Sequence, residues 1–231
     1  MKRYRIYIVM LILVALPAMS QIKVHSVKGE VLVRHGASET WQQVAVGDIL
    51  KPDDSMKSGK NSSATIVMSN GKKITVPDQV IVDVSDLRDL TQEEFLLKLA
   101  MEDVRSAPLP ENDGNINIPR TTTTRGIEKG ISASLANNPE LGALHLNGTT
   151  VLFENGYNAT GVLKTKQVYR LYPALSKQVE NRMMVASAFE KLELTRDALS
   201  EYRNLLKETL SQQQRTEIEK KIETLKKKID G

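Results

Sequence analysis

The hydrophobic pattern of the chain changes along its length, and this change limits the possible folds more than any other feature. Between residues 23 and 84, short segments alternate polar and apolar side chains, which is the two-residue period of half-buried strands. Between residues 139 and 230, apolar residues recur at the spacing of amphipathic helices. We therefore expect a multi-domain α and β protein, with a small all-β module of sandwich or barrel type followed by an α-helical module.

Turn residues divide the first region into short strands. Expected strands cover residues 23–27, 30–34, 41–46, 64–68, 73–76 and 80–84. The Asn70-Gly71 pair is the strongest short hairpin signal among these turns. We place the β-module at 21–88. Trp41 is predicted to be a core residue, with a ligand-binding platform as the alternative.

One linking helix is expected after the β-module. Thr91 and Glu94 form a capping box, in which each side chain can bond the other's free backbone N–H. Helical spacing continues through Leu96, Leu99, Ala100 and Val104. This pattern predicts a helix at 91–105, within a linking segment at 89–105, whose apolar stripe packs on the β-module.

Residues 106–138 are expected to form a flexible linker, because proline, glycine, asparagine and threonine dominate this stretch and bury little apolar surface. The helical module is then placed at 139–231. Its expected helices cover residues 141–154, 160–171, 176–192, 196–210 and 216–229.

The N-terminal twenty residues have the pattern of a secretory signal peptide. A basic start is followed by an eleven-residue apolar run at 6–16, and then by small residues at Ala18 and Ser20. A helix of eleven residues spans only about 16 Å, against about 30 Å of membrane hydrocarbon. We expect cleavage after Ser20 and no permanent membrane span; an uncleaved inner-membrane anchor is the alternative.

The charge of the chain gives no support for nucleic-acid binding. Removal of Lys2, Arg3 and Arg5 with the signal peptide leaves 29 of the 32 basic residues against 28 acidic ones. Nucleic-acid binding needs a concentrated cationic face. We therefore expect no nucleic-acid partner.

The β-region resembles the FecR domain, a periplasmic module of bacteria. The resemblance is carried, in order, by Val27-x-Gly29-x-Val31, Gly47-Asp48-Ile49-Leu50, Met56-Lys57-Ser58-Gly59, the strand Ala64 to Met68, and Asn70-Gly71-Lys72-Lys73-Ile74. Ser58 and Asn70 replace the threonine and aspartate that the family often carries at these positions. The resemblance implies export and binding, and it implies no reaction.

The helical region resembles tetratricopeptide repeats (TPRs), in about two degenerate copies. Gly161 and Ala198 stand where a small residue lets paired helices approach, and they are 37 residues apart, against a usual period of about 34. Gly156 marks the first inter-helix turn, and Glu193 replaces the glycine of the second. In the second copy, Ala186 is expected to face Ala198. The last helix is expected to cap the end repeat.

The sequence contains no catalytic pattern. It has no cysteine, no metal-ligand spacing among its three histidines, no Gly-x-Ser-x-Gly elbow and no phosphate-binding loop. We therefore expect no enzymatic activity, no cofactor and no metal site. Tyr157, Tyr169 and Tyr172 cluster near the repeat turn; they are candidate partner-binding residues, with core packing as the alternative.

Together, these features predict an exported scaffold or interaction protein of the bacterial cell envelope, located in the periplasm. Its helical repeats are expected to bind partner proteins, and its FecR-like module a second partner or a cell-wall glycan. One alternative is a FecR-type signalling regulator, although only about five residues precede the apolar run. The other alternative is a peptidoglycan- or glycan-binding module.

Overall fold

The computed structural model describes residues 21–107 and 138–230. The predicted signal peptide at 1–20 lies outside the described residues. The predicted linker at 106–138 does so too, apart from its first two residues and its last.

Within the described residues, eight short strands form two antiparallel sheets. The strands are β1 (Ile22–Lys28), β2 (Val31–Arg34), β3 (Gln42–Gln43), β4 (Ile49–Leu50), β5 (Ser55–Ser58), β6 (Ser63–Val67), β7 (Lys73–Val76) and β8 (Ile81–Asp83). The first sheet has the order β4-β1-β6-β7, and the second has the order β3-β2-β5-β8. Each of the six predicted strand segments overlaps one of these strands.

The two sheets share one hydrophobic core. Ile66 and Ile74 from the first sheet and Val31, Val33 and Met56 from the second are almost fully buried in the same cluster. The alternation of buried and more exposed residues along β2, β6 and β7 gives each sheet one apolar face. Burial of these faces against one another is the main source of stability for strands this short.

Strands β4 and β5 are not predicted by the sequence pattern, and for β5 the reason is physical. Ser58 points into the core opposite Val31, so the strand lacks apolar alternation. The Ser58 hydroxyl donates to the carbonyl of Pro77 at 2.5 Å and accepts from the amide of Val80 at 3.2 Å. These two bonds satisfy a polar side chain in a position where the pattern requires an apolar one.

The described residues also contain six α-helices, which confirms the mixed α and β class. They are α1 (Gln92–Ser106), α2 (Pro139–Glu154), α3 (Asn158–Leu171), α4 (Val179–Lys191), α5 (Thr195–Leu205) and α6 (Gln212–Asp230). The predicted helix at 176–192 begins later, because a 3₁₀ turn at Pro173–Lys177 precedes α4. The predicted helix at 196–210 ends at Leu205.

Helix α1 begins as predicted but packs in another place. The Thr91 hydroxyl accepts from the amide of Glu94, which confirms the N-cap. The helix buries Phe95 and Leu99 in the core of the other helices, against α3, and not on the β-module. The predicted stripe is wrong as well, since Leu96 and Val104 are exposed. Apolar residues surround most of this helix, so spacing alone could not select the buried face.

Two helix ends, 37 residues apart, share one backbone geometry. After α2, Gly156 has φ +82°, and the next amide donates to the carbonyl of Leu152 at 2.9 Å. After α4, Glu193 has φ +61°, and the next amide donates to the carbonyl of Phe189 at 2.9 Å. Both are left-handed helix caps, a conformation that favours glycine. Glu193 therefore has the same backbone conformation as Gly156 at the end of its helix.

We expect Glu193→Gly to stabilise the protein. A side chain in the left-handed conformation costs about 1 kcal/mol, and glycine removes that cost. Urea unfolding of the variant should show a gain of about this size. Glu193→Ala is the matched control, since it removes the carboxylate but keeps the strained backbone, and it should give little gain. Equal gains for the two variants would contradict a strained backbone at this turn.

Helix α2 joins the sheets to the other helices. It packs on β8, and Val151, Leu152 and Tyr157 complete the core of the sheets. Gly148 permits this contact, because a Cβ at this position would lie 1.9 Å from the carbonyl oxygen of Ile81. The described strands and helices are therefore in direct contact through a backbone-to-backbone approach.

Candidate functional site

A row of polar side chains crosses the outer face of the second sheet and ends on helix α3. The strand register places Arg34, Ser55 and Asp83 side by side. Arg34 Nη2 donates to Ser55 Oγ at 3.2 Å, and Ser55 Oγ donates to Asp83 Oδ1 at 2.6 Å. Lys164 of α3 forms ion pairs with Asp83 and, at 3.2 Å, with Asp86 Oδ2. This polar row links the sheet to the helices.

The electrostatics of the polar row keep Lys164 charged. Burial opposes the charge on Lys164, but the carboxylates of Asp86 and Asp83 outweigh it and raise its pKa. Burial also opposes ionisation of Asp83, yet the charge and hydrogen bond of Lys164 lower the pKa of that carboxyl. The pKa of Asp86 is raised, chiefly by burial. Lys164 and Asp83 are therefore an ionised pair at neutral pH.

His145 of α2 stands beside this row and is neutral at pH 7. Burial is the main cause that lowers its pKa to about 4, and the positive charges of Lys164 and Arg34 lower it further. The imidazole can therefore donate or accept a hydrogen bond here without adding charge.

We expect the stability of the protein to fall as the pH drops from about 6.5 to about 4. His145 binds a proton in the unfolded chain across this range but not in the folded one, so acid favours unfolding. The full effect is on the order of 2–3 kcal/mol. Urea unfolding at several pH values should show a shallower dependence for His145→Gln, and an unchanged one for the exposed control His25→Gln. Equal slopes for both variants would contradict a buried, neutral His145.

A cavity of about 320 Å³ lies between the sheet and helices α2 and α3. Its lining includes Arg34, Trp41, His145, Gln167 and Tyr172. Trp41 is half-buried and belongs to none of the core clusters of the described residues, so the prediction that it is a core residue is wrong. The guanidinium carbon of Arg34 lies 5.2 Å from the centre of the Trp41 ring.

The three predicted tyrosines do not form one surface. Tyr157 exposes 4% of its surface and packs in the core of the sheets, with Lys72 Nζ 4.2 Å from its ring centre. Tyr172 also exposes 4%, and it packs with Val168 in a small separate cluster. Tyr169 packs against that cluster, and its buried hydroxyl has no hydrogen-bond partner among the described residues. In this conformation Tyr157 and Tyr172 are packing residues, and partner binding by the three stays a prediction.

Helix α1 carries an exposed apolar stripe, which includes Val104, a residue of the predicted buried face. The stripe consists of Leu97, Met101 and Val104, with exposed fractions of 64%, 48% and 66%, and Leu96 lies beside it at 41%. Leu97, Met101 and Val104 follow the i, i+4, i+7 spacing of one helix face. The opposite face holds the buried Phe95 and Leu99. Helix α1 therefore has two apolar faces, and only the face with Phe95 and Leu99 packs against the other helices.

Neither a membrane-spanning helix nor a metal cluster occurs within residues 21–107 and 138–230. No helix in these ranges is both long enough and apolar enough to cross a bilayer. No three histidine or carboxylate side chains in the same ranges converge on a common point. His35 Nδ1 instead lies 2.9 Å from Asp54 Oδ1, and His25 is exposed on β1.

Comparisons with known proteins found no match. No protein-family model and no curated protein matches the sequence, and no solved structure matches the fold. The resemblances to FecR domains and to tetratricopeptide repeats therefore rest on the residues of this sequence alone.

Proposed function

We propose that this protein is an exported interaction protein of the bacterial cell envelope, without catalytic activity. In this proposal the sheets form a FecR-like module and helices α2 to α6 form a short TPR-like stack. Two features support that assignment. Gly71 lies at the β6–β7 hairpin with φ +82°, in the turn where the family often carries aspartate in place of Asn70. The caps at Gly156 and Glu193 repeat one helix-pair geometry.

The exposed apolar stripe of α1 is the observation that carries the interaction function. Soluble monomers rarely leave contiguous large apolar side chains this exposed unless they bind something there. The stripe lies on a helix whose other face is fixed by Phe95 and Leu99. The stripe is therefore presented on a rigid support, which lowers the entropic cost of binding.

The stripe fits an amphipathic helix of a partner protein. Leu97, Met101 and Val104 repeat at the spacing with which two helices pack side by side. Glu94 and Lys98 lie beside the stripe and form an i,i+4 ion pair, so its border carries both signs and suits a partner helix with charges of both signs beside its own apolar face.

Quantitative partner capture from the native cells tests this function. A tagged chain is crosslinked in the intact cells, and the captured proteins and the N-terminus of the chain are identified by mass spectrometry. We expect a chain that begins at Gln21 and one or more envelope proteins. The Leu97→Glu/Val104→Glu variant should lose most of this capture. Gln92→Glu, which adds a carboxylate at an exposed position of the same helix, should keep it.

Three outcomes would contradict the proposal. The first is capture that is identical for the stripe variant and for Gln92→Glu. The second is a chain that retains Met1 and captures a cytoplasmic protein, which would favour a FecR-type regulator. The third is binding to purified peptidoglycan in place of any protein. Deletion of residues 139–231 is not a suitable test, because Val151, Leu152 and Tyr157 complete the core of the sheets.

A further inference from the structure

The ionisable groups that line the cavity between the sheet and helices α2 and α3 are mainly basic. Its lining carries the basic groups of Arg34, His145 and Lys164, and no acidic side chain of the described residues lines it. Asp83 and Asp86 contact Lys164 but are not part of the lining. A molecule inside the cavity therefore meets hydrogen-bond donors and positive charge first.

Among these three basic residues, Arg34 is the one whose positive charge has no carboxylate partner within the described residues. Lys164 already has two carboxylate partners, and His145 is neutral at pH 7. Arg34 forms no ion pair within residues 21–107 and 138–230; there it donates to the neutral hydroxyl of Ser55. Its Nε is fully buried without a hydrogen-bond partner in the same ranges. A buried guanidinium N–H without an acceptor is costly, and a planar carboxylate is the group that its fork matches best.

Half of the residues that line the cavity are aliphatic side chains or the ring of Tyr172. They are Ile81, Leu141, Val168, Leu171 and Tyr172. The ring of Trp41 lies within cation–π distance of the guanidinium of Arg34. A cavity of about 320 Å³ with apolar walls and a few fixed polar groups has the character of a small-molecule site.

We propose that this cavity binds a small monoanionic carboxylate with an apolar body. The carboxylate pairs with the guanidinium of Arg34, and the body lies against Leu141 and Leu171. A phosphate monoester fits less well, because its second negative charge finds no second uncompensated cation and faces Asp83 behind Lys164. This site is distinct from the α1 stripe, and the inference does not depend on the proposed partner binding.

Ligand titrations monitored by NMR test the proposal on the full chain. The probes are hexanoate, 3-phenylpropionate and N-acetyl-leucine, each paired with its neutral amide, together with inorganic phosphate. We expect saturable binding of at least one acid, with shifts of the Arg34 Nε–H and Trp41 indole N–H signals. The neutral amide of that acid should bind at least about 10-fold more weakly, because it lacks the carboxylate. Inorganic phosphate should bind more weakly by the same factor, because it has no apolar body.

Two variants separate the role of Arg34 from general effects on the fold. Arg34→Gln should weaken binding of the acid by at least about 10-fold. Lys57→Gln removes the other cation near Trp41, 6.0 Å from the ring centre and outside the cavity lining, and should leave binding unchanged. Thermal unfolding of both variants verifies that they are folded, and Arg34→Lys, which keeps the charge, should bind with intermediate affinity.

The proposal is overturned by any of three results. One is that none of the three acids shows saturable binding at concentrations up to about 20 mM. A specific site of this size should bind at least one of them with a lower Kd than that. Another is equal affinity for an acid and its amide. The third is an affinity for the acid that Arg34→Gln does not change.

Discussion

Replacement of Gly148 by alanine should destabilise the protein by about 3 kcal/mol or more, because it forces helix α2 away from the sheet. The added Cβ would lie 1.9 Å from the carbonyl oxygen of Ile81, whereas real Cβ contacts are not shorter than 3.0 Å. The obstacle is backbone, which cannot rotate away as a side chain can. Movement of the helix also withdraws Val151 and Leu152 from the core of the sheets. Urea unfolding measures this loss.

Gly71→Ala is the matched control for this prediction. Gly71 has φ +82°, and a Cβ at this position would meet nothing within 4 Å. Its replacement should cost only the strain of the left-handed backbone, about 1 kcal/mol. If Gly148→Ala is no less stable than Gly71→Ala, the close approach of α2 to β8 is wrong.

The second large effect is expected at Lys164. Lys164→Met leaves the carboxylates of Asp83 and Asp86 together without their cation, and their exposed fractions are only 23% and 22%. Loss of one partner from a buried ion cluster costs about 3 kcal/mol. The loss of stability relative to the unchanged protein should be smallest in acid and grow as the pH rises, because the two uncompensated carboxyls have raised pKa values in the folded state.

Two further variants isolate the charge effect at Lys164. The triple variant Lys164→Met/Asp83→Asn/Asp86→Asn removes all three charges and should recover most of the lost stability. Lys166→Met removes a neighbouring lysine of α3 that pairs with Asp103 at the surface, where the aspartate is 58% exposed. That change should cost less than about 1 kcal/mol. Similar losses of stability for Lys164→Met and Lys166→Met would show that the ion pairs of Lys164 with Asp83 and Asp86 are not buried.

Much of the local structure could be predicted from the sequence, since it depends on short-range rules. The hairpin at Asn70-Gly71 and the cap at Thr91 have chemical signatures that hold in any context. The assignment of Glu193 to the position of Gly156 came from the resemblance to tetratricopeptide repeats. Strand β5 could not be predicted in this way, because Ser58 is satisfied by partners 19 and 22 residues away in sequence.

The contacts between distant elements were largely beyond the sequence pattern. The face of α1 that is buried depends on α3, and most faces of α1 are apolar. The weak helical pattern at Gly148 reflects a close approach to β8 that only the fold reveals.

Two charged residues in otherwise apolar segments of the sequence indicate the polar row, and sequence reasoning did not recognise them. Asp83 falls within an otherwise apolar segment at Val80–Val84, and Lys164 lies on the face of α3 that buries Gly161 and Val168. A charge on a buried face predicts an oppositely charged partner. Neither signal identifies the partner, and the cavity beside the row depends on the relative placement of sheet and helices. Arg34 therefore had no sequence signature as a site, and Trp41 was considered as a ligand-binding platform only as the alternative to a core residue.

The most direct test of the proposed function is site-specific photo-crosslinking in the native cells. A photoreactive residue is placed at Leu97 in one strain and at Lys51, an exposed residue of the β-module, in another. We expect a discrete crosslink from Leu97 to an envelope protein, absent from the Lys51 strain, on a chain that begins at Gln21. No crosslink from Leu97, or a crosslink to a cytoplasmic protein, would contradict the account.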